Sequence, residues 1–256
     1  MLTKRDLKIL LRSRSWNFMK DCKKPQSDGS PGVTQWNGKP IYYRPGTSDC
    51  RIISEILFVP RCEYHVPRDL KPKIIVDLGA NIGIASIYFA HQFPDSEIFA
   101  FEPEEENFLL LEKNIQSCEN ARAFPVGLGN EDEVKEVYFS DNPNNYGGFS
   151  FFPAGSNTSM KKKVQVKKAS DYFREIGISR VDLMKIDTEG SEFEIITDLD
   201  PNMLKEIEWI VGELHGIRDF EMLAYLDQWF DISVKRSFEK RLFMFQAWNR
   251  NSKLRV

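Results

Sequence analysis

From Lys73 to Ala247, short apolar runs alternate with longer stretches of helical periodicity, the order expected of a parallel sheet joined by right-handed crossovers. The runs at 73–78, 97–102, 121–126, 181–187 and 208–213 are largely apolar, which predicts strands buried on both faces. Helices are predicted at 82–92 and 104–116. A helix near 220–229 and two final strands, 230–235 and 242–247, complete a mostly parallel seven-stranded sheet with an antiparallel last strand. An insertion at about 134–168 interrupts this order: strands at 134–140 and 163–167 flank a polar loop at 141–159. The fold class is therefore α/β, with residues 73–256 as the sheet-bearing domain.

Residues 1–72 read as an N-terminal extension. It comprises a helix within 1–24, a Gly-, Ser- and Pro-rich loop at 25–38, a strand at 39–44, and a helix at 50–58 that Ser48 or Asp49 can cap. Leu7, Leu10, Leu11 and Phe18 fall roughly on one helical face, which predicts packing on the domain; peripheral contact with an anionic membrane is the alternative.

At 256 residues the chain is long enough for a full core, and its net charge of −3 gives no global reason to expect nucleic acid. The charge is uneven. Residues 1–24 carry eight Lys or Arg against Asp6 and Asp21, about +6, leaving about −9 elsewhere. Basic residues interrupt every apolar run there, so the segment reads neither as a secretory signal nor as a membrane span, and the expected compartment is the cytoplasm. Cys22, Cys50, Cys62 and Cys118 form no C-x-x-C pair and read as reduced thiols. The lysines at 161, 162, 163, 167 and 168 form a basic patch, expected to be a solvated face.

Ligands of open α/β sheets bind beyond the carboxyl ends of the strands, so the strand ends carry the candidate chemistry. The first ends in Asp77-Leu78-Gly79-Ala80-Asn81-Ile82-Gly83, the second in Glu102-Pro103. The glycines permit a tight turn, and Glu102 can accept hydrogen bonds from two ribose hydroxyls. A pyrophosphate would require a glycine where Asn81 stands. Asp77 suits instead the ammonium of an amino acid, and S-adenosylmethionine combines that ammonium with a ribose and no phosphate. An NAD(P)-dependent oxidoreductase and a donor-binding scaffold without turnover are the rival readings.

The third strand ends in Gly127-Leu128, the fourth in Asp187-Thr188-Glu189-Gly190, and the fifth in Glu213-Leu214-His215-Gly216. Methyl transfer to a hydroxyl needs a group to take its proton, and His215 is the candidate general base. Asp187 and Glu213, on neighbouring strands, could converge on a divalent ion such as magnesium. The run Asp141 to Tyr146 lacks the second proline of the N-methyltransferase D/N-P-P-Y loop and precedes the fourth strand, so it reads as an insertion. Phe149, Phe151 and Phe152 beside it are expected to pack that insertion.

The blocks Val76 to Gly83, Phe101-Glu102-Pro103, Lys185 to Glu192 and Glu213-Leu214-His215, in that order, resemble the FkbM family of S-adenosylmethionine-dependent methyltransferases. The resemblance covers about Arg44 to Ala247, and Arg44 to Asp49 is similar to members among glycan-modifying enzymes. It implies a Rossmann-like class I methyltransferase fold and O-methylation of a saccharide or a saccharide-containing metabolite. It implies donor contacts from Asp77, Gly79, Asn81, Gly83, Glu102 and Pro103, with Gly127 and Leu128 at the adenine and Ser48 and Asp49 nearby. Asp187, Glu189, Glu213 and His215 would line the acceptor side. The implied partner is a small molecule or glycan, with no nucleic acid.

Overall fold

The computed structural model describes residues 2–24, 30–59, 62, 64–139, 149–150, 161–237 and 242–252. The chain opens with α1 (Lys4–Ser13) and α2 (Trp16–Asp21), followed by β1 (Gly32–Trp36), β2 (Lys39–Tyr43) and α3 (Ser48–Ile56). The alternating part runs β3 (Ile74–Leu78), α4 (Ile84–Gln92), β4 (Glu97–Phe101), α5 (Glu105–Ile115) and β5 (Ala121–Phe124). Next comes β6 (Gly127–Gly129), then β7 (Glu133–Phe139), β8 (Phe149–Ser150) and β9 (Lys161–Lys168) of the insertion, then α6 (Ala169–Glu175). Closing the chain are β10 (Leu183–Ile186), α7 (Glu192–Asp198), α8 (Pro201–Glu206), β11 (Trp209–Leu214), α9 (Ile217–Leu226), β12 (Phe230–Ser237) and β13 (Leu242–Asn249).

The main sheet has the order β12-β13-β11-β10-β3-β4-β5, with β13 antiparallel to both neighbours and the remaining pairs parallel. This is the predicted mostly parallel seven-stranded sheet. The chain order reverses between β3 and β10, where the crevice that takes ligands opens in such sheets. Apolar clusters cover both faces: Ile75, Ile87, Phe89 and Leu111 belong to one, Val76, Met184, Ile186 and Ile210 to the other. That two-sided burial is why the strands read as continuous apolar runs. The strands of the insertion join β6 in a separate four-stranded sheet, β6-β9-β7-β8.

Among the described residues, the N-terminal extension shares the core of the main sheet. Phe18, Ile41, Tyr43 and Ile53 lie in the same cluster as Ile75, Ile87 and Leu183.

Three expectations change in this region. Residues 32–36, expected as loop, form β1 and pair with β2 as a hairpin, because Asn37 and Gly38 (φ 49° and 79°) make the left-handed two-residue turn that matches strand twist. The N-terminal helix breaks at Arg14 (φ 52°), and Ser15 caps α2 by accepting from the Phe18 amide. Phe18 is thus fully buried while Leu7 and Leu11 on α1 face solvent, so the four apolar residues do not share one packed face. Finally, Thr47, not Ser48 or Asp49, caps α3, its hydroxyl accepting from the Asp49 amide. Residues 141–146, 151 and 152 lie outside the described residues, as does the side chain of Phe149. No helix among the described residues is long and apolar enough to cross a membrane.

Candidate active site

A cavity of about 220 Å³ opens at the carboxyl ends of β3, β4, β10 and β11. Its wall includes Gly79, Asn81, Glu102, Pro103, Gly127 and Leu128 at one end, and Tyr64, Lys185, Asp187, Glu189, Glu213 and His215 at the other. Arg51, Ile52 and Glu55 of α3 close one side, so the extension contributes to the site.

The turn after β3 is shaped by its protein neighbours. A Cβ on Gly79 (φ +74°) would lie 1.8 Å from the Asp187 carbonyl oxygen, so the glycine lets the turn press against the end of β10. Gly83 (φ +85°) does not line the cavity; a Cβ there would meet Leu111 Cδ1 at 2.7 Å, and its role is the close packing of α4 on α5. Both were expected as donor contacts, and only Gly79 borders the cavity.

Glu102 is the centre of the first end. The Asn81 amide donates to its Oε2 at 2.8 Å and the Glu104 amide to its Oε1 at 2.9 Å, which fixes the carboxyl and leaves Oε2 the more open of the two oxygens toward a ligand hydroxyl. Burial pushes its pKa up to about 7, against the opposing effect of those amides. A relay stands behind it. Asn107 Nδ2 reaches Oε1 at 3.5 Å, Arg44 donates to Asn107 Oδ1 at 2.7 Å, and Arg44 holds both oxygens of the buried Asp49 at 2.8 and 3.0 Å. Asp49 therefore supports the site from behind: neither it nor Ser48 lines the cavity, because Arg44 draws the Asp49 carboxylate away from it.

Asp77 requires a further correction. It is fully buried, bonded to the Ser86 hydroxyl at 2.6 Å and 3.2 Å from the Lys185 ammonium, and it does not border the cavity. Lys185 is its register partner on β10, so the two side chains meet and neutralise each other. Lys185 also donates to the Gly79 carbonyl at 2.7 Å and lies 3.9 Å from Asp187. Burial would lower its pKa, but Asp77 and Asp187 outweigh that and keep it an ammonium. Sequence reasoning assigned Lys185 no role; the signal was a lysine inside a strand buried throughout.

At the second end, His215 Nδ1 faces Glu192 Oε1 at 3.0 Å, while Nε2 lies 3.5 to 3.7 Å from Asp187, Glu189 and Glu213. Burial would push His215 down, but the Glu192 hydrogen bond and then the charges of Asp187 and Glu189 hold it at about 10. That shift favours the imidazolium and works against the expected general-base role, and the carboxylates beside the ring are the other groups able to accept a proton. Glu192, wholly buried, also takes the Thr188 and Gly190 amides at 2.8 and 2.9 Å and so ties the loop to the imidazole. Glu189 sits in the left-handed region (φ 56°), and burial first of all raises its pKa to about 7. Tyr64 donates its hydroxyl to Asp187 Oδ2 at 2.8 Å. Neither Tyr64 nor Glu192 was assigned a role from sequence.

Asp187, Glu213 and His215 offer ligand atoms within 4.8 Å of one another, close enough to share one cation. The basic patch of the insertion is largely neutralised: Lys161 pairs with Glu136, Lys162 with Glu104 and Glu106, and Lys167 with Asp132. His91 is exposed on α4, against Trp36.

Residues 77–242 match the family model described as the methyltransferase FkbM domain. Methyltransferase 1 of Beauveria bassiana (strain ARSEF 2860) is 28% identical over 195 residues, covering 68% of this chain and 77% of its own. Methyltransferase sdnD of Sordaria araneosa is 27% identical over 231 residues, covering 77% and 88%. The 31-O-demethyl-FK506 methyltransferase FkbM of Streptomyces tacrolimicus is 23% identical over 189 residues, covering 63% and 73%.

Proposed function

The chain belongs to the FkbM methyltransferase family and has the fold of S-adenosylmethionine-dependent methyltransferases, and from that premise we propose that it methylates a hydroxyl oxygen of a saccharide or saccharide-containing metabolite. The observation that carries this reading is the two-ended cavity, with a fixed, buried carboxyl at one end and a carboxylate-histidine cluster at the other.

Glu102 takes the ribose hydroxyls of the donor, and the backbone at Gly127 and Leu128 borders its base. The acceptor hydroxyl sits among Asp187, Glu189 and Glu213. Its oxygen attacks the methyl carbon in line with the sulfur, the carbon–sulfur bond breaks with its electron pair going to sulfur, and the hydroxyl proton passes to a carboxylate. The imidazolium of His215, held by Glu192, keeps these carboxylates together against their mutual repulsion. The name of the Streptomyces relative, which specifies an oxygen position, supports oxygen as the atom methylated.

Asp187 and Glu213 would be the residues to hold a divalent ion such as magnesium, which would supply Lewis-acid chemistry toward the acceptor hydroxyl in place of the imidazolium's charge. Turnover that survives exhaustive chelation removes the metal and leaves the rest.

The test is transfer of isotope-labelled methyl from S-adenosylmethionine to a panel of saccharides, polyols and amines. Label on oxygen, lost in Asp187→Asn while S-adenosylhomocysteine affinity is retained, is the expected result. Label on amines alone would overturn the acceptor class.

A further inference from the structure

Helix α1 carries an outward face that the proposed reaction does not use. Thr3 and Asp6 cap the helix reciprocally, and the buried Asp6 pairs with Lys23 at 2.6 Å, so the one acid of α1 is turned inward. Leu7 and Leu11, one turn apart, are 49% and 69% exposed, and Leu2 before them and Trp16 after them are exposed as well. Lys4, Lys8 and Arg12 form a second exposed row at the same spacing, and none of the three is paired with a carboxylate among the described residues. An amphipathic helix ordinarily turns its leucines to the core. Here Phe18 and Met19 of the next helix fill that position, and Leu7 and Leu11 are left in water beside unpaired cations.

We propose that this face docks on an anionic membrane surface, with Leu7 and Leu11 entering the headgroup boundary, Trp16 at its level, and Lys4, Lys8 and Arg12 on acidic headgroups. Charge complementarity selects this occupant. A second copy meeting the face about a twofold axis would bring two uncompensated cationic rows together. A nucleic acid would use the cations but not the leucines.

Vesicle flotation with the full chain tests this, comparing phosphatidylcholine vesicles with and without phosphatidylserine across a salt series. The expected result is binding to the anionic vesicles only, weakening as salt rises. Leu7→Ser with Leu11→Ser should reduce partitioning at least about tenfold, and Lys4→Glu with Lys8→Glu should do so about as much. Unchanged S-adenosylhomocysteine affinity in both double variants would show that they fold and that the docking face is separate from the cavity. Equal binding to neutral vesicles, no binding to either, a concentration-dependent dimer that needs Leu7 and Leu11, or RNA binding in place of vesicle binding would each overturn the proposal. Should a double variant fail to fold, the lipid and salt dependence of the unaltered chain decides by the same criteria.

Discussion

Glu102 makes the ligand-free protein pay for an ionised carboxyl in its interior. Its pKa in the fold, about 7, stands above the ordinary 4.5, so the fold binds this proton more tightly than the unfolded chain does. Its contribution therefore lowers stability as pH rises from about 4.5 through 7, by about 3 kcal/mol in all. Two donor hydroxyls compensate the ionised form, so affinity for S-adenosylhomocysteine should rise between pH 6 and pH 8. Glu102→Gln should weaken binding and flatten that dependence, both readable by calorimetry. Arg44 acts on the same carboxyl through Asn107. Asn107→Leu should weaken donor affinity while leaving acceptor KM unchanged, because it frees Glu102 Oε1 without touching the far end of the cavity. Asp49→Ala should cost about 3–5 kcal/mol of stability, measured by urea unfolding, because it leaves the largely buried Arg44 without its main counter-charge.

At the scale of elements, the strand-turn-helix at Asp77 to Gly83 depends on close approach between β3 and β10. Gly79→Ala should therefore destabilise the protein by at least about 2 kcal/mol and abolish donor binding, since the new Cβ meets the Asp187 carbonyl at a backbone angle that disfavours side chains. Gly83→Ala strains the α4–α5 packing and should show as a lower Tm.

The same region shows what the sequence can convey. The strands of the main sheet were legible because burial on both faces leaves continuous apolar runs. The β1–β2 hairpin was missed although Asn37-Gly38 carries the signal for its turn, because the Gly and Ser around it dominate a compositional reading. Helices α6 and α8 span only 7 and 6 residues, too short to develop a helical period.

Across the whole molecule, the location of the site was legible and the pairing inside it was not. Strand-end logic brings Glu102, Gly127, Asp187, Glu189, Glu213 and His215 to one cavity. It cannot show that Lys185 consumes the charge of Asp77, because that pairing depends on the register between β3 and β10. Nor can it show that Glu192 and its neighbours raise the proton affinity of His215, since the turn into α7 and the end of β11 meet only in the fold. The extension shares the core and supplies Arg44 and one cavity wall, so removal of residues 1–56 should leave an unfolded or aggregated chain, seen as loss of a cooperative melting transition.

The central claim is a nucleoside methyl-donor site built on Glu102, and calorimetric titration with S-adenosylhomocysteine, with NAD and NADP as controls, tests it most directly. The account predicts saturable heat from S-adenosylhomocysteine alone, lost in Glu102→Ala. Silence with S-adenosylhomocysteine and heat from a dinucleotide, or unchanged affinity in Glu102→Ala, would contradict it.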